Sequence, residues 1–74
     1  MPIRARRENL GLSVEQAARA AGCTVSMWYK VETGERRPSL SLANRVARVL
    51  EWDLDTFFMA FTSTKRAGRA ARTA

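Results

Sequence analysis

Hydrophobic residues along this chain recur at spacings of three and four, which is the period of one face of an α-helix. The clearest case lies in residues 40–50, where apolar and polar positions separate onto opposite faces. The apolar positions are Leu42, Ala43, Val46, Val49 and Leu50. The strict alternation that is typical of a half-buried β-strand does not occur anywhere in the sequence. The pattern therefore predicts an all-α fold.

Start and stop signals divide the chain into five predicted helices. The first begins near Pro2 and ends at Gly11, and the second and third end at Gly22 and Gly34. Each of the other four helices follows a residue whose side chain can cap a helix N-terminus. These residues are Ser13, Thr24, Ser39 and Asp53. Ser13 and Gln16 have the spacing of a capping box. The fifth helix is predicted to be short, because large apolar residues stop at Phe61.

Charge and residue size divide the chain at residue 61. Residues 1–61 carry nine Lys/Arg against seven Asp/Glu and are predicted to form one domain. Residues 62–74 hold no acidic residue and nothing large to bury, so we expect a basic, flexible tail. Its cations are Lys65, Arg66, Arg69 and Arg72. The net charge of +6 suits a nucleic acid or an anionic membrane, but the tail lacks the apolar face that a membrane requires.

Several classes of site and function are disfavoured by composition. One cysteine and no histidine are too few for an intramolecular disulfide or a structural zinc site, so we expect no metal and no cofactor. No catalytic constellation can be assembled, which argues against an enzyme. The charged N-terminus and the short apolar runs favour a soluble cytoplasmic protein. We also expect no small-molecule ligand.

The second and third predicted helices meet at a tight turn that contains Gly22. Small side chains at Ala17, Ala18 and Ala21 allow the two helices to cross closely, and Trp28 and Val31 share the inner side of the third helix. Its outer face is then left free. This arrangement is typical of a helix-turn-helix, in which the second helix of the pair, the recognition helix, enters the DNA major groove.

From Ile3 to Phe58 the sequence resembles the lambda-repressor-like (Xre/Cro) helix-turn-helix domains. The resemblance rests on Gly11-Leu12-Ser13, Glu15, Ala18, Gly22, Thr24, Lys30-Val31-Glu32-Thr33-Gly34, Arg36, Pro38-Ser39-Leu40, Val46-Ala47, Leu50 and Leu54-Asp55-Thr56-Phe57-Phe58. It implies a five-helix bundle that binds DNA, usually as a homodimer on a palindrome. Val14 stands where that family commonly has a DNA-contacting glutamine, and Arg6 where it often has leucine.

The resemblance also assigns candidate site residues by position. The base-reading positions would be Val25, Ser26, Tyr29 and Lys30. The expected phosphate contacts are Ser13, Thr24, Thr33, Arg36 and Arg37. The two arginines are included because their loop follows the recognition helix. Arg7 and Glu32 match an ion pair that joins the first helix to the recognition helix in some phage repressors.

A surplus of apolar side chains near residues 52–61 suggests a dimer interface, in a region where the family commonly dimerises. The candidate interface residues are Trp52, Leu54, Phe57, Phe58 and Phe61. The favoured hypothesis is a homodimeric repressor that binds a palindromic operator sequence-specifically through the major groove of double-stranded DNA. Two alternatives stay open: an antitoxin that neutralises a partner toxin and represses its own operon, and a restriction-modification controller.

Overall fold

The computed structural model describes the backbone of residues 2–73 and the side chains of residues 2–63. Five helices follow one another, and these residues contain no strand. The helices are α1 (Ile3–Asn9), α2 (Val14–Ala21), α3 (Val25–Glu32), α4 (Leu40–Val49) and α5 (Leu54–Thr73). The all-α, five-helix fold that the sequence predicts is confirmed.

Side-chain caps fix where α2 and α3 begin. The Oγ of Ser13 accepts the backbone N–H of Gln16 at 3.1 Å, and the Oε1 of Gln16 accepts the N–H of Ser13 at 2.8 Å. The two residues thus form the capping box that their spacing predicts. Thr24 begins α3 by accepting the N–H of Met27 at 3.0 Å. These bonds satisfy amide groups that have no partner within their own helix.

The last two helices begin at the predicted caps as well. Ser39 accepts the N–H of Leu42 at 3.2 Å, and Asp53 accepts the N–H of Thr56 at 2.7 Å. The hydrogen bonds from Thr56 lower the pKa of the Asp53 carboxyl below its ordinary value, because they favour its charged form. Asp53 therefore places a fixed negative charge at the positive end of α5.

Each of the first four helices is followed by a residue in the left-handed region of backbone conformation. After α1, α2 and α3 that residue is a glycine, with φ values of +73°, +70° and +78° at Gly11, Gly22 and Gly34. After α4 it is Glu51, with φ +57°. The N–H of Trp52 donates to the carbonyl of Ala47 at 2.9 Å, so α4 ends in a Schellman turn that glycine normally serves. Glu51 is thus a site of backbone strain.

A single apolar core joins the helices. Helix α2 packs against α3 and α4, and α5 packs against α1, α3 and α4. The core side chains are Ile3, Val14, Ala17, Ala18, Ala21, Trp28, Val31, Leu42, Ala43, Val46, Ala47, Leu50, Phe57, Ala60 and Phe61. The rings of Phe57 and Phe61 stack with centroids 6.1 Å apart. Because α2 contributes mostly alanines, α3 and α4 approach it closely, and α3 lies at the surface with its inner face covered.

The backbone of α5 continues to Thr73, whereas the sequence predicts a short helix near Phe61. The added segment contains three alanines, three arginines and one lysine, residue types that favour helix without needing a core contact. The expectation of a flexible tail at residues 62–74 stays a prediction, because the side chains beyond residue 63 and all of residue 74 lie outside the described residues. No helix in the described part of the chain has the length and apolar character to cross a membrane.

The strain at Glu51 predicts that Glu51→Gly raises the free energy of unfolding by about 0.5–1 kcal/mol. Relief of the left-handed conformation exceeds the entropy that glycine adds to the unfolded chain. The converse change, Gly22→Ala, should lower the free energy of unfolding by about 1–2 kcal/mol. It is a clean control, because a Cβ at Gly22 meets only the Nη1 of Arg45, at 3.8 Å. Urea denaturation followed by circular dichroism measures the free energy of unfolding of both variants. Destabilisation by Glu51→Gly would contradict the interpretation that the backbone at Glu51 is strained.

Candidate nucleic-acid interface

Helices α2 and α3 are joined by a three-residue turn, residues 22–24. The N–H of Cys23 donates to the carbonyl of Ala18 at 3.0 Å, and Gly22 provides the left-handed residue that reverses the chain. Cys23 is half-buried, and burial raises the pKa of its thiol. Cys23 packs against the core, and the raised pKa favours the protonated thiol. Among the described residues, no three His, Cys, Asp or Glu side chains are grouped to hold a metal ion.

The two faces of α3 differ sharply in burial. Trp28 and Val31 are each 1% exposed and point into the core. On the opposite face Ser26 is exposed, Val25 is 37% exposed and Tyr29 is 51% exposed. The structure therefore brings three of the four predicted base-reading residues onto one open face. The fourth, Lys30, is half-buried at the edge of that face.

A buried polar network holds α3 against the body. The Nε of Arg7 donates to the Oε1 of Glu32 at 2.7 Å, and the indole Nε1 of Trp28 donates to the same oxygen at 3.1 Å. The Nη1 of Arg7 donates to the carbonyl of Leu12 at 2.8 Å. The side chains of Arg7 and Glu32 are only 9% and 4% exposed. This pair, which the resemblance implies, connects α1, the segment before α2, and α3.

The charge of Arg7 is stabilised by its partner. The hydrogen bond to Glu32 raises the pKa of the Arg7 guanidinium above its ordinary value, and the charge of Glu32 adds to this against the opposing effect of burial. An ion pair withdrawn from water in this way compensates its desolvation only when its hydrogen bonds are well made. The network meets that condition, because no buried side-chain nitrogen or oxygen among the described residues lacks a partner.

Two positions that depart from the family pattern have clear structural roles. The Nε of Arg6 donates to the carbonyl of Leu50 at 2.9 Å, so this arginine caps the C-terminus of α4 from α1. Val14 is buried and contributes to the core instead of facing solvent. Sequence reasoning could not find the role of Arg6, because its partner lies 44 positions away.

The three hydroxyl residues expected to contact phosphate are exposed but are not equivalent. Ser13 and Thr24 accept backbone N–H groups through their oxygens, so each hydroxyl proton is still free to donate. The hydroxyl of Thr33 donates to the carbonyl of Tyr29 at 2.8 Å. Since a hydroxyl has one proton, Thr33 has no donor left for a phosphate oxygen in this conformation.

The loop between α3 and α4 carries the two arginines that are expected to contact phosphate. Both side chains are exposed, and no residue in the described part of the chain forms an ion pair with Arg36. The guanidinium of Arg37 instead lies over the ring of Phe58 on α5, with its central carbon 5.8 Å from the ring centroid. Within the described residues, the guanidinium of Arg36 thus has no counter-charge, whereas that of Arg37 contacts the ring of Phe58.

The residues predicted to form a dimer interface divide between the core and the surface. Phe57 and Phe61 are buried in the core of the single chain, and their assignment to a dimer interface stays a prediction. Leu54 is half-buried against the core. Trp52 and Phe58 are half-buried and line separate surface clefts of about 340 and 550 Å³.

Met59, which the sequence reasoning passed over, is 72% exposed and lines both clefts. A signal for this was present in the sequence, because Leu54, Phe57, Phe58 and Phe61 share one face at helical spacing and Met59 falls on the opposite side.

Comparison with known proteins identifies similar sequences. A family model described as a helix-turn-helix domain matches residues 3–56, which include α1 to α4 and the start of α5. An uncharacterized HTH-type transcriptional regulator from Methanothermobacter thermautotrophicus is 44% identical over 48 residues, which cover 65% of this chain and 70% of the relative. No solved structure matches the chain.

The buried network predicts that Glu32→Gln lowers the free energy of unfolding by about 3 kcal/mol, because it leaves the Arg7 charge buried without its counter-charge. The matched control is Glu8→Gln, which removes the exposed ion pair with Arg4 on α1. That change should cost no more than about 0.5 kcal/mol. Urea denaturation followed by circular dichroism compares the two, and equal losses would show that the buried pair has no special role.

Proposed function

The chain belongs to the helix-turn-helix family of transcription regulators, and on this basis we propose that it is a sequence-specific regulator of double-stranded DNA. It acts as a homodimeric repressor on a palindromic operator, with one copy of α3 in the major groove of each half-site. The observation that carries the proposal is the two-sided nature of α3. Its inner face is fixed by Trp28 and Glu32, while Val25, Ser26 and Tyr29 form an open outer face.

The side chains on the outer face of α3 determine what it reads. Val25 offers only methyl groups, so its partner in a major groove is the methyl group of thymine. Ser26 is short and both donates and accepts, and Tyr29 contributes a ring with a polar tip. Lys30, at the edge of the face, donates to guanine acceptors or to a phosphate. Sequence preference therefore rests on Val25 and Ser26 in the first turn of α3 and on Tyr29 and Lys30 one turn later.

Phosphate contacts come from the segments that flank α3. The free hydroxyl protons of Ser13 and Thr24 lie at the N-termini of α2 and α3, where the helix dipole also favours an anion. Arg36 contributes a full charge from the loop after α3. Such contacts set the register and orientation of the protein on DNA without reading its sequence.

The proposed dimer forms through the exposed side of α5. Met59 stands between the two clefts, one lined by Trp52 and the other by Phe58. In this arrangement the exposed Met59 side chain of each copy fills a cleft of the other copy. The same surface then serves both copies, as a two-fold axis requires. A dimer bound across two half-sites also excludes other proteins from that DNA, so repression requires no further activity.

Because Val25 is proposed to contact a base and Arg36 a phosphate, substitutions at these two positions should affect DNA binding in different ways. Val25→Ala should change the preferred base at one or two symmetric positions and cost about 1–3 kcal/mol on the preferred site. Arg36→Ala should weaken binding to all duplexes alike and lower the slope of log affinity against log salt by about 1.8 for the dimer, about 0.9 for each protomer.

Selection from random duplexes followed by salt titration measures both. If Arg36→Ala shifted base preference while Val25→Ala did not, the proposed placement of α3 would be wrong.

The α5 interface predicts that Met59→Glu weakens self-association at least tenfold, because it would bury a charge between the two copies. Leu40→Glu is the matched control, since Leu40 is also an exposed apolar residue but lines neither cleft. Sedimentation equilibrium over a concentration series gives the dissociation constants. Equal effects of the two substitutions, or a wild-type protein that is monomeric on a palindromic site, would contradict this interface.

A further inference from the structure

Arg37 lies in the loop after α3, but its guanidinium is directed toward α5. Its central carbon is 5.8 Å from the centroid of the Phe58 ring. A cation at this distance is attracted to the electron-rich face of the ring, and the planar guanidinium of arginine stacks there better than an ammonium group. Arg37 therefore joins the loop to a helix that is distant in sequence.

The ring that receives Arg37 is itself held in place by the core. Phe58 is half-buried, and its ring meets that of Phe57 edge to face, with centroids 5.3 Å apart and planes at 70°. Phe57 is fully buried. The Phe58 ring is thus a fixed surface, and a side chain that stacks on it loses freedom of movement.

The loop has two further attachments, one on each side of Arg37. The backbone N–H of Arg36 donates to the carbonyl of Lys30 at 3.0 Å, which ties the loop to the end of α3. Pro38 is buried, and a proline restricts the residue before it to extended conformations, so the direction of Arg37 is constrained. The backbone of Arg36 is thus held at the start of the loop, while its side chain is exposed.

We propose that Arg37 is a positioning residue. By stacking on Phe58 it fixes the α3–α4 loop to α5 and holds Arg36 where it meets a phosphate, and it does not bind phosphate itself. The inference rests on the proposed DNA-binding function. Because Phe58 also lines the larger cleft beside Met59, the same contact joins the DNA-facing loop to the proposed dimer surface.

The test measures binding to a random-sequence duplex of roughly 10 base pairs, about one helical turn, so that one protomer binds without its partner. Arg37→Ala and Phe58→Leu should each weaken binding roughly twofold to fivefold, the range expected for one exposed cation–π contact. Both should keep the wild-type salt slope, and the double variant should bind no more weakly than either single variant. Arg36→Ala is the control and should lower the slope by about 0.9.

Arg37→Lys separates position from charge, because it keeps the cation and weakens the stacking. It should keep the wild-type slope and recover only part of the affinity that Arg37→Ala loses. A slope lowered by about 0.9 in Arg37→Ala, losses that multiply in the double variant, or full recovery by lysine would overturn the positioning role alone. A wild-type protein that binds no duplex would overturn the proposed function as well. Circular dichroism verifies that each variant is folded.

Discussion

A carboxylate on the buried side of a helix must be paired, because an uncompensated charge in a protein interior costs several kcal/mol. Glu32 meets this requirement with two donors on one oxygen, the guanidinium of Arg7 and the indole of Trp28. Arg7 then donates to the carbonyl of Leu12, between α1 and α2. Helix α1, the segment before α2 and α3 itself therefore meet at one network. These bonds add fixed directions to the apolar packing of Trp28 and Val31, and together they orient the outer face of α3.

The rest of the domain is arranged around that fixed helix. Alanines on α2 allow the close approach, and the Thr24 cap fixes the first turn of α3, where two of the proposed base-reading residues, Val25 and Ser26, lie. The loop beyond α3 is tied back by its own amide and by the contact between Arg37 and Phe58. In the proposed complex, side chains as short as Val25 and Ser26 reach base edges only from a helix that approaches the DNA closely. The rigid attachment of α3 to the rest of the domain therefore suits the short side chains on its outer face.

Local signals in the sequence were enough to predict much of the fold. Caps such as Ser13 and turns such as Gly22 depend on hydrogen bonds within a few residues, so spacing alone located the helix starts and the ends of α1 to α3, though not the end of α5. Contacts between distant segments were not predictable in this way. The pairings of Arg6 with Leu50 and of Arg37 with Phe58 arise only when the helices have packed. The pair of Arg7 and Glu32 was expected from the family resemblance, because nothing in local spacing indicates it.

The indole proton of Trp28 reports most directly on the buried network, and its hydrogen exchange can be followed by NMR in the unmodified protein. Because this proton is bonded to Glu32 in the core, it should exchange only through global unfolding, as slowly as the most protected backbone amides. The indole of half-buried Trp52 forms no hydrogen bond among the described residues, so it should exchange much faster. Equal and rapid exchange of the two indoles would contradict the view that Glu32 and its donors hold α3 in place.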